Sequence, residues 1–527
     1  MRILVCILAT ISISASTPGQ DSRELTLGLN DASLASGAAQ SPVPTNTASV
    51  AGIDGLAELD LVRLEELCNL TAQLGDELWP GFDAAAAPLA LNIDDHHELL
   101  IGHSNPPSEY QLLAGPTIAD RPVLIREGVT QYGPRGGGWM LKLAGEGTVY
   151  VMPKGGGSTE RYLSLLLHEA FHVFQQDYRK RDPGPQFKTP VVDVAYSARL
   201  ALESHVLHAA LTATKETEVR ELARMFIAVR HARRADLAVE VIRNESEAEY
   251  SEGTAKYIEA RLLVLAARRG GIAPKTSSDP AHNGFADAER ELQRLHVGVL
   301  PAKDDIVLFD RSMYQHGMAQ GLLLDQLRPA WKQEIREPGA TQFLLLERSL
   351  SNTAPEEAEL LARAEQRFDY AALFAQQQAL IDAELEHLRS IIEAPGRRYR
   401  IYHGALGGSM KWQPDGPLHI IPDVLLDEQP SVETSLWEGG IRHLERPGLV
   451  FESGAVPMIY RRDYLEWIDT DPAADNSDLV LNDDRYEGDV HIGLELVTDG
   501  FTLKADRARV VISDELVQVF PLVPDKR

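Results

Sequence analysis

Cysteine is almost absent from this chain, with Cys6 and Cys68 its only two. Cys6 lies in an N-terminal segment that reads as removable, so the mature chain is expected to hold Cys68 alone. That excludes an internal disulfide and any zinc site built on thiolates. Cys68 continues the helical spacing of Leu61 and Leu64 in "LVRLEELCNLTAQL" and reads as a small buried hydrophobe. Basic residues are also in deficit, 51 Lys+Arg against 78 Asp+Glu. The resulting formal charge of −27 repels a phosphate backbone, so nucleic acid and anionic membranes are excluded as partners. Past the N-terminus no apolar run reaches membrane-spanning length, and no membrane is expected for the mature form. A repeat of fixed period is missing as well. "MPKGGGS" lacks the Gly-Lys-Ser/Thr ending of a phosphate-binding loop, and "DTDPAADNSDLVLNDD" lacks the spacing of an EF-hand and reads as a solvated acidic loop.

What is present divides the chain into four parts. "MRILVCILATISISASTPG" has Arg2, an apolar stretch from Ile3 to Ile13 and small residues at Ser14, Ala15 and Ser16, the order of a secretory signal peptide. Residues 1–16 are therefore expected to direct secretion or export to a periplasm. Residues 17–50 are rich in Ser, Ala, Gly, Pro and Thr and read as a flexible leader. From residue 51 a helical period places Leu67, Leu70, Leu74 and Leu78 on related faces. The strand-like runs "PLALNI", "ELLIGH", "RPVLIRE", "WMLKLA" and "GTVYVMP" follow, then helical patterns over 193–268 and 283–394, interrupted near "TATKET". From residue 396 apolar and polar residues alternate between turn signals. The expected class is α+β: an α-rich catalytic domain with a small sheet over 51–395, then a β-rich domain over 396–527.

The most informative stretch is "LLLHEAFHVFQQD", which sets His168, Glu169 and His172 in an HExxH pattern within an apolar helix whose start falls near Ser158 or Thr159. Residues four apart share a helix face, so both imidazoles can reach one Zn²⁺, while Glu169, turned about 100° away, can act as a base on a water. Left unpartnered in an apolar helix, these three polar groups would be costly. A third ligand must come from another helix. Glu252 in "EAEYSEGTAKYIEAR" is the best placed, because Gly253 permits two backbones to approach. Its rival is Glu203 in "ARLALESHVLHAAL", with His205 and His208 nearby.

HEAFH, "SEGTAKY" and "MYQHGMAQGLLLDQL" together resemble the gluzincin metallopeptidases of the aminopeptidase N type. That family carries HExxH, then a Glu in N-E-G-x-A-x-[YF], then a tyrosine in Y-x-K-G before an apolar helix. The resemblance implies a zincin-like fold, one Zn²⁺ per chain held by His168, His172 and Glu252, Glu169 as general base, and Tyr314 as the phenol that stabilises an oxyanion. The pattern departs from the family in three ways. The ligand Glu comes much later, so a helical insertion is expected between the ligand helices. His316 stands where the family has Lys. The G-x-M-E-N motif for a free amino terminus is missing, with only Glu146 of "AGEGTVYVMP" in common. The matching motifs lie within residues 140–330.

Other polar residues read more plainly. Glu249 is expected to orient a ligand histidine or an arginine, and Glu247 and Glu259 to be solvated helix charges. His96, His97 and His103 read as surface or hydrogen-bonded histidines. Arg230, Arg233, Arg234 and Arg243 read as a solvated face or as partners for the excess carboxylates. The function expected is an exported zinc metallopeptidase acting on peptide or protein substrates. A zinc hydrolase of another amide or ester, and a secreted binding protein with a structural or vestigial zinc site, stay open.

Overall fold

The computed structural model describes residues 58–92, 97–128, 138–151, 158–176, 193–275 and 282–392, with strand segments among residues 10–27 and 397–521. They mix helix and strand and are rich in helix, an α+β composition. Two compact units divide the chain: Ala39–Asp182 with Asp193–Gln378, and Ala379–Arg527 with Met1–Ala38 and Pro183–Val192. Among the described residues no helix is long and apolar enough to cross a membrane.

The first unit opens with helix α1 (Glu58–Leu74), whose Leu64, Leu67, Leu70 and Leu74 are buried at helical spacing. Cys68 beside them is half-buried against the same core. A mixed six-stranded sheet follows: β1 (Leu89–Asn92), β2 (His97–Ile101), β3 (Gln111–Ile118), β4 (Arg121–Glu127), β5 (Gly138–Leu143) and β6 (Glu146–Val151). The strand order is β3-β4-β2-β1-β6-β5, with β1 and β6 parallel and the other pairs antiparallel. Strand β3 has no counterpart among the expected runs. Its pairing with β4 is irregular between Leu112 and Thr117, and that breaks the two-residue alternation. Leu89, Leu91, Leu99, Ile101, Val149 and Val151 face the main core, while Ala90, Leu100 and Tyr150 join a smaller cluster with Tyr110 and Leu143. Both faces are covered, which explains why β1 and β2 read as nearly continuous apolar runs.

The helices supply the rest: α2 (Thr159–Gln175), α3 (Val194–Thr212), α4 (Glu216–Arg234), α5 (Val239–Ala248), a π turn (Glu249–Gly253), α6 (Thr254–Arg269), α7 (Ala288–Val297) and α8 (Phe309–Leu327), then four more through Ile392. Ser158 caps α2, accepting a hydrogen bond from Arg161 N at 3.3 Å. The insertion expected between the ligand helices is α3 to α5.

The π turn and the start of α6 cross α8 with almost no side chain between them. A Cβ on Gly253 would lie 2.4 Å from Gly317 Cα, and one on Gly317 would lie 2.5 Å from Gly253 Cα and 2.7 Å from the Glu249 carbonyl. One turn on, a Cβ at Gly321 would sit 2.7 Å from the Tyr257 ring. The second unit holds the end of the last helix, which runs to Ile392, and is otherwise described as strands. Eleven of those between Arg397 and Pro521 form one sheet that is antiparallel except where Arg397–Tyr402 meets Leu516–Pro521. Within the segment expected as signal peptide and leader, Thr10–Ile13 pairs with Gly408–Lys411 and Leu25–Leu27.

The glycine crossing fixes the sign of one substitution. By helix propensity alone, Gly317→Ala stabilises by about 0.8–1 kcal/mol. With backbone in the way on two sides, overpacking reverses this to a net loss of about 1–3 kcal/mol. Thermal unfolding that shows Gly317→Ala at or above the wild-type midpoint would refute the crossing.

Candidate metal centre

Helix α2 delivers His168 and His172 to the same side, one turn apart. The imidazole Nε2 atoms stand 3.2 Å apart, and Glu252 Oε2 from the π turn lies 3.2 Å from His172 Nε2 and 3.5 Å from His168 Nε2. Eighty residues separate His172 from Glu252, yet their ligand atoms meet. Among the described residues this is the one group of three His, Cys, Asp or Glu side chains close enough to hold a single ion.

The partners of the other ring nitrogens decide what faces the centre. His168 Nδ1 is 2.8 Å from Glu259 Oε1. Burial favours the neutral acid at Glu259, but Lys256 beside it at 2.9 Å and the His168 contact outweigh that and hold its pKa below the ordinary range. An ionised Glu259 only accepts, so His168 Nδ1 carries the proton and Nε2 presents a lone pair. His172 Nδ1 is 2.9 Å from Gln175 Oε1, whose amide Nε2 donates to Thr254 Oγ1 at 2.5 Å and to the Ser251 carbonyl at 3.1 Å. Here too Nδ1 is the donor and Nε2 the lone pair. Three electron-pair donors thus converge in a buried place, an arrangement that a cation satisfies and that fits a metal ion.

The same convergence attracts a proton when no metal is bound. Burial lowers the His168 pKa, but hydrogen bonds to Glu252 and Glu259 raise it further, leaving it well above the ordinary value. His172 is raised against the same burial by the charge of Glu252. Burial pushes Glu252 upward, and the two imidazoles more than reverse this, holding it far below the ordinary carboxylate range.

Glu169 is buried on the neighbouring face of α2, and its charge acts on both imidazoles. Its Cγ would lie 3.1 Å from a Cβ on Gly138, the first residue of β5. The absent side chain at Gly138 is what admits Glu169 against the sheet. Tyr314 on α8 is half-buried, its ring 6.2 Å from the His168 ring and tilted by 30°. All five residues singled out by the HExxH pattern and the resemblance are brought together.

Other expectations are sorted by the same contacts. Glu203 is not a ligand: fully buried, it receives Arg230 at 2.8 Å and Arg233 at 2.6 Å. Arg230, Arg233 and Arg234 are buried partners of Glu203, Glu245 and Glu249, not a solvated face, while Arg243 is exposed. Glu249 pairs with an arginine, as expected of it. Glu259 corrects the reading as a solvated charge. It lies about two helical turns past Glu252, on the same face and under His168, and that seven-residue spacing was the available signal. Gln175 was missed as well; a buried glutamine three residues beyond His172 could have pointed to it. His103 is buried and hydrogen-bonded, its Nε2 3.0 Å from the Leu143 carbonyl, while His96 lies outside the described residues.

Metal and protons compete for the same lone pairs, and this sets the direction of a pH dependence. A raised histidine pKa stabilises the metal-free fold fully below the unfolded value of about 6.5, and that contribution is lost as pH rises through the raised folded value. A divalent ion gains in affinity over the same interval. The melting temperature of metal-loaded protein minus that of chelated protein should therefore grow from pH 6 to pH 8, and His168→Ala should abolish the difference. A difference that is flat with pH, or one that survives His168→Ala, would refute the centre. Compared with known proteins, the chain matches no family model, no curated protein and no solved structure.

Proposed function

We propose that this chain is an exported zinc-dependent metallopeptidase that hydrolyses internal bonds of peptide or protein substrates. The observation that carries the reading is the convergence of His168, His172 and Glu252 beside Glu169 at the first residue of β5. The separations fit zinc. Ligand arms of about 2.0–2.1 Å at tetrahedral angles place donor atoms about 3.3–3.4 Å apart, and the three observed distances are 3.2, 3.2 and 3.5 Å. Two neutral imidazoles and one carboxylate would hold the ion, three protein ligands being the number that catalytic zinc sites use. When bound, the zinc supplies Lewis acidity and lowers the pKa of water.

The chain's own residues account for the rest of the chemistry. Glu169 takes a proton from the attacking water and returns it to the leaving amine, a shuttle helped by its burial between α2 and Gly138. Tyr314 donates its O–H to the carbonyl oxygen as negative charge develops there. Glu259 and Gln175 fix the two imidazoles in the tautomer that keeps both Nε2 lone pairs on the centre.

The sheet supports an extended substrate. Strand β5 lies at the end of the strand order and has no partner on its outer side among the described residues, so a peptide can add there as a further strand. Cleavage of internal bonds is favoured by the place of Glu146. It sits at the far turn of the β5–β6 hairpin, about 17 Å of strand rise from Gly138, held by Ser104 N at 2.9 Å and by His103 at 3.2 Å. It is not placed to hold a free amino terminus beside the metal. Export rests on the signal-like pattern of residues 1–16.

Incubation with a mixed peptide library, mapped by mass spectrometry, tests the proposal. Wild type should make chelator-sensitive internal cuts, and Glu169→Gln should retain zinc and make none. Tyr314→Phe should lose about 2.7–4 kcal/mol of transition-state stabilisation, read as kcat/KM. Cuts confined to amino-terminal residues would turn the reading to an exopeptidase, and an absence of zinc-dependent cuts would remove the peptidase.

A further inference from the structure

Glu252 belongs to a π turn, where the regular helical ladder is interrupted, so its position depends on what grips the turn from outside. The grip falls on Glu249, the first residue of that turn. Its backbone carbonyl accepts from Gln342 Nε2 at 3.1 Å, and its Oε2 accepts from Gln320 Nε2 at 3.0 Å and from Arg230 Nη1 at 2.7 Å. Arg230, on α4 of the insertion, is fully buried. Its Nε and Nη2 donate to Glu203 Oε2 on α3 at 3.0 and 2.8 Å, and Nη2 lies 3.3 Å from His316 Nδ1 on α8. His316 Nε2 meets Ser204 Oγ at 2.8 Å, and burial holds its pKa down to about 4, so the ring is neutral and its Nδ1 can accept from the guanidinium. One planar group therefore ties α3, α4, α8 and the π turn together.

We propose that Arg230 is a positioning residue for the metal ligand Glu252: acting through Glu249, it fixes the π turn and makes the helical insertion part of the frame of the metal centre. The proposal rests on the reading that His168, His172 and Glu252 hold a metal. The arrangement is directional. Arg233 and Arg234 complete the same buried network through Glu245 on α5, at 2.6 and 2.9 Å, and among the described residues donate no hydrogen bond to the π turn. A network that served only stability would weaken the fold equally when cut at Arg230 or at Arg234, and leave metal affinity alone. Lysine cannot replace Arg230, since one ammonium cannot reach Glu203, Glu249 and His316 as the guanidinium's flat fork does.

The test is Zn²⁺ affinity of the full chain by competition with a chromogenic chelator, beside the melting temperature of the chelated protein. Arg230→Lys should weaken Zn²⁺ binding by about tenfold or more, in the range set by the loss of a group that orients a ligand. Arg234→Gln should lower the melting temperature and leave Zn²⁺ affinity at the wild-type value. If Arg230→Lys does not fold, Glu249→Gln, which keeps the side chain's size but removes the charge that Arg230 holds, should show the same loss of affinity. Wild-type affinity in the Arg230 or Glu249 variant, or an equal loss in Arg234→Gln, overturns the proposal. A wild type that takes up no Zn²⁺ overturns the metal centre itself and this inference with it.

Discussion

Three electron-pair donors pressed together away from water are the constraint on which the rest of this site depends. His168 Nε2, His172 Nε2 and Glu252 Oε2 lie within 3.5 Å of one another, and each would find better company in solvent. Only a cation or a shared proton makes such a cluster favourable. The surroundings are arranged so that the lone pairs, not the ring protons, face inward. Glu259 and Gln175 both accept from Nδ1, and each is held by further bonds, to Lys256 in one case and to the π turn in the other.

That constraint has to be met across a long separation in sequence. Bringing α2 and the π turn together closes a loop of 80 residues, whose entropic cost grows only slowly with length. The insertion therefore costs little as a loop, and it folds as three helices with an ionic interior. Glu203, Glu245 and Glu249 neutralise Arg230, Arg233 and Arg234 in a buried place. Removing one member of such a set leaves a buried charge uncompensated, a loss of about 3–5 kcal/mol in comparable pairs. On its other side the π turn meets α8 at Gly253 and Gly317, where bare backbones touch. The same helix carries Tyr314, so the crossing that seats Glu252 also sets the distance of the phenol from His168.

Much of this could be read from residue order alone, because the signals were local. The HExxH helix, its cap at Ser158, the apolar runs of β1, β2, β4, β5 and β6, and the break between α3 and α4 each follow from periodicity or punctuation within a few residues. Glu252 was legible because a glycine follows it and a glycine is needed where helices cross closely. Glu259 and Gln175 had only their spacing to mark them, and a polar side chain at helical spacing looks the same whether it meets water or an imidazole. The arginine run was legible as a set of charges, but its choice between solvent and Glu203 was not.

The sequence by itself determined the chemistry available: two imidazoles on one face, a carboxylate beside them, no thiolate pair, and strongly acidic charge. Tertiary structure alone decided which carboxylate joins the histidines. Glu203 and Glu252 are both glutamates on helices beyond the HExxH motif, and they differ in what burial places around them. Two arginines surround Glu203 and consume its charge, whereas Glu252 meets two lone pairs that leave it a cation to share. Electrostatic partners of that kind are set by packing between distant segments, and no local pattern of residues encodes them.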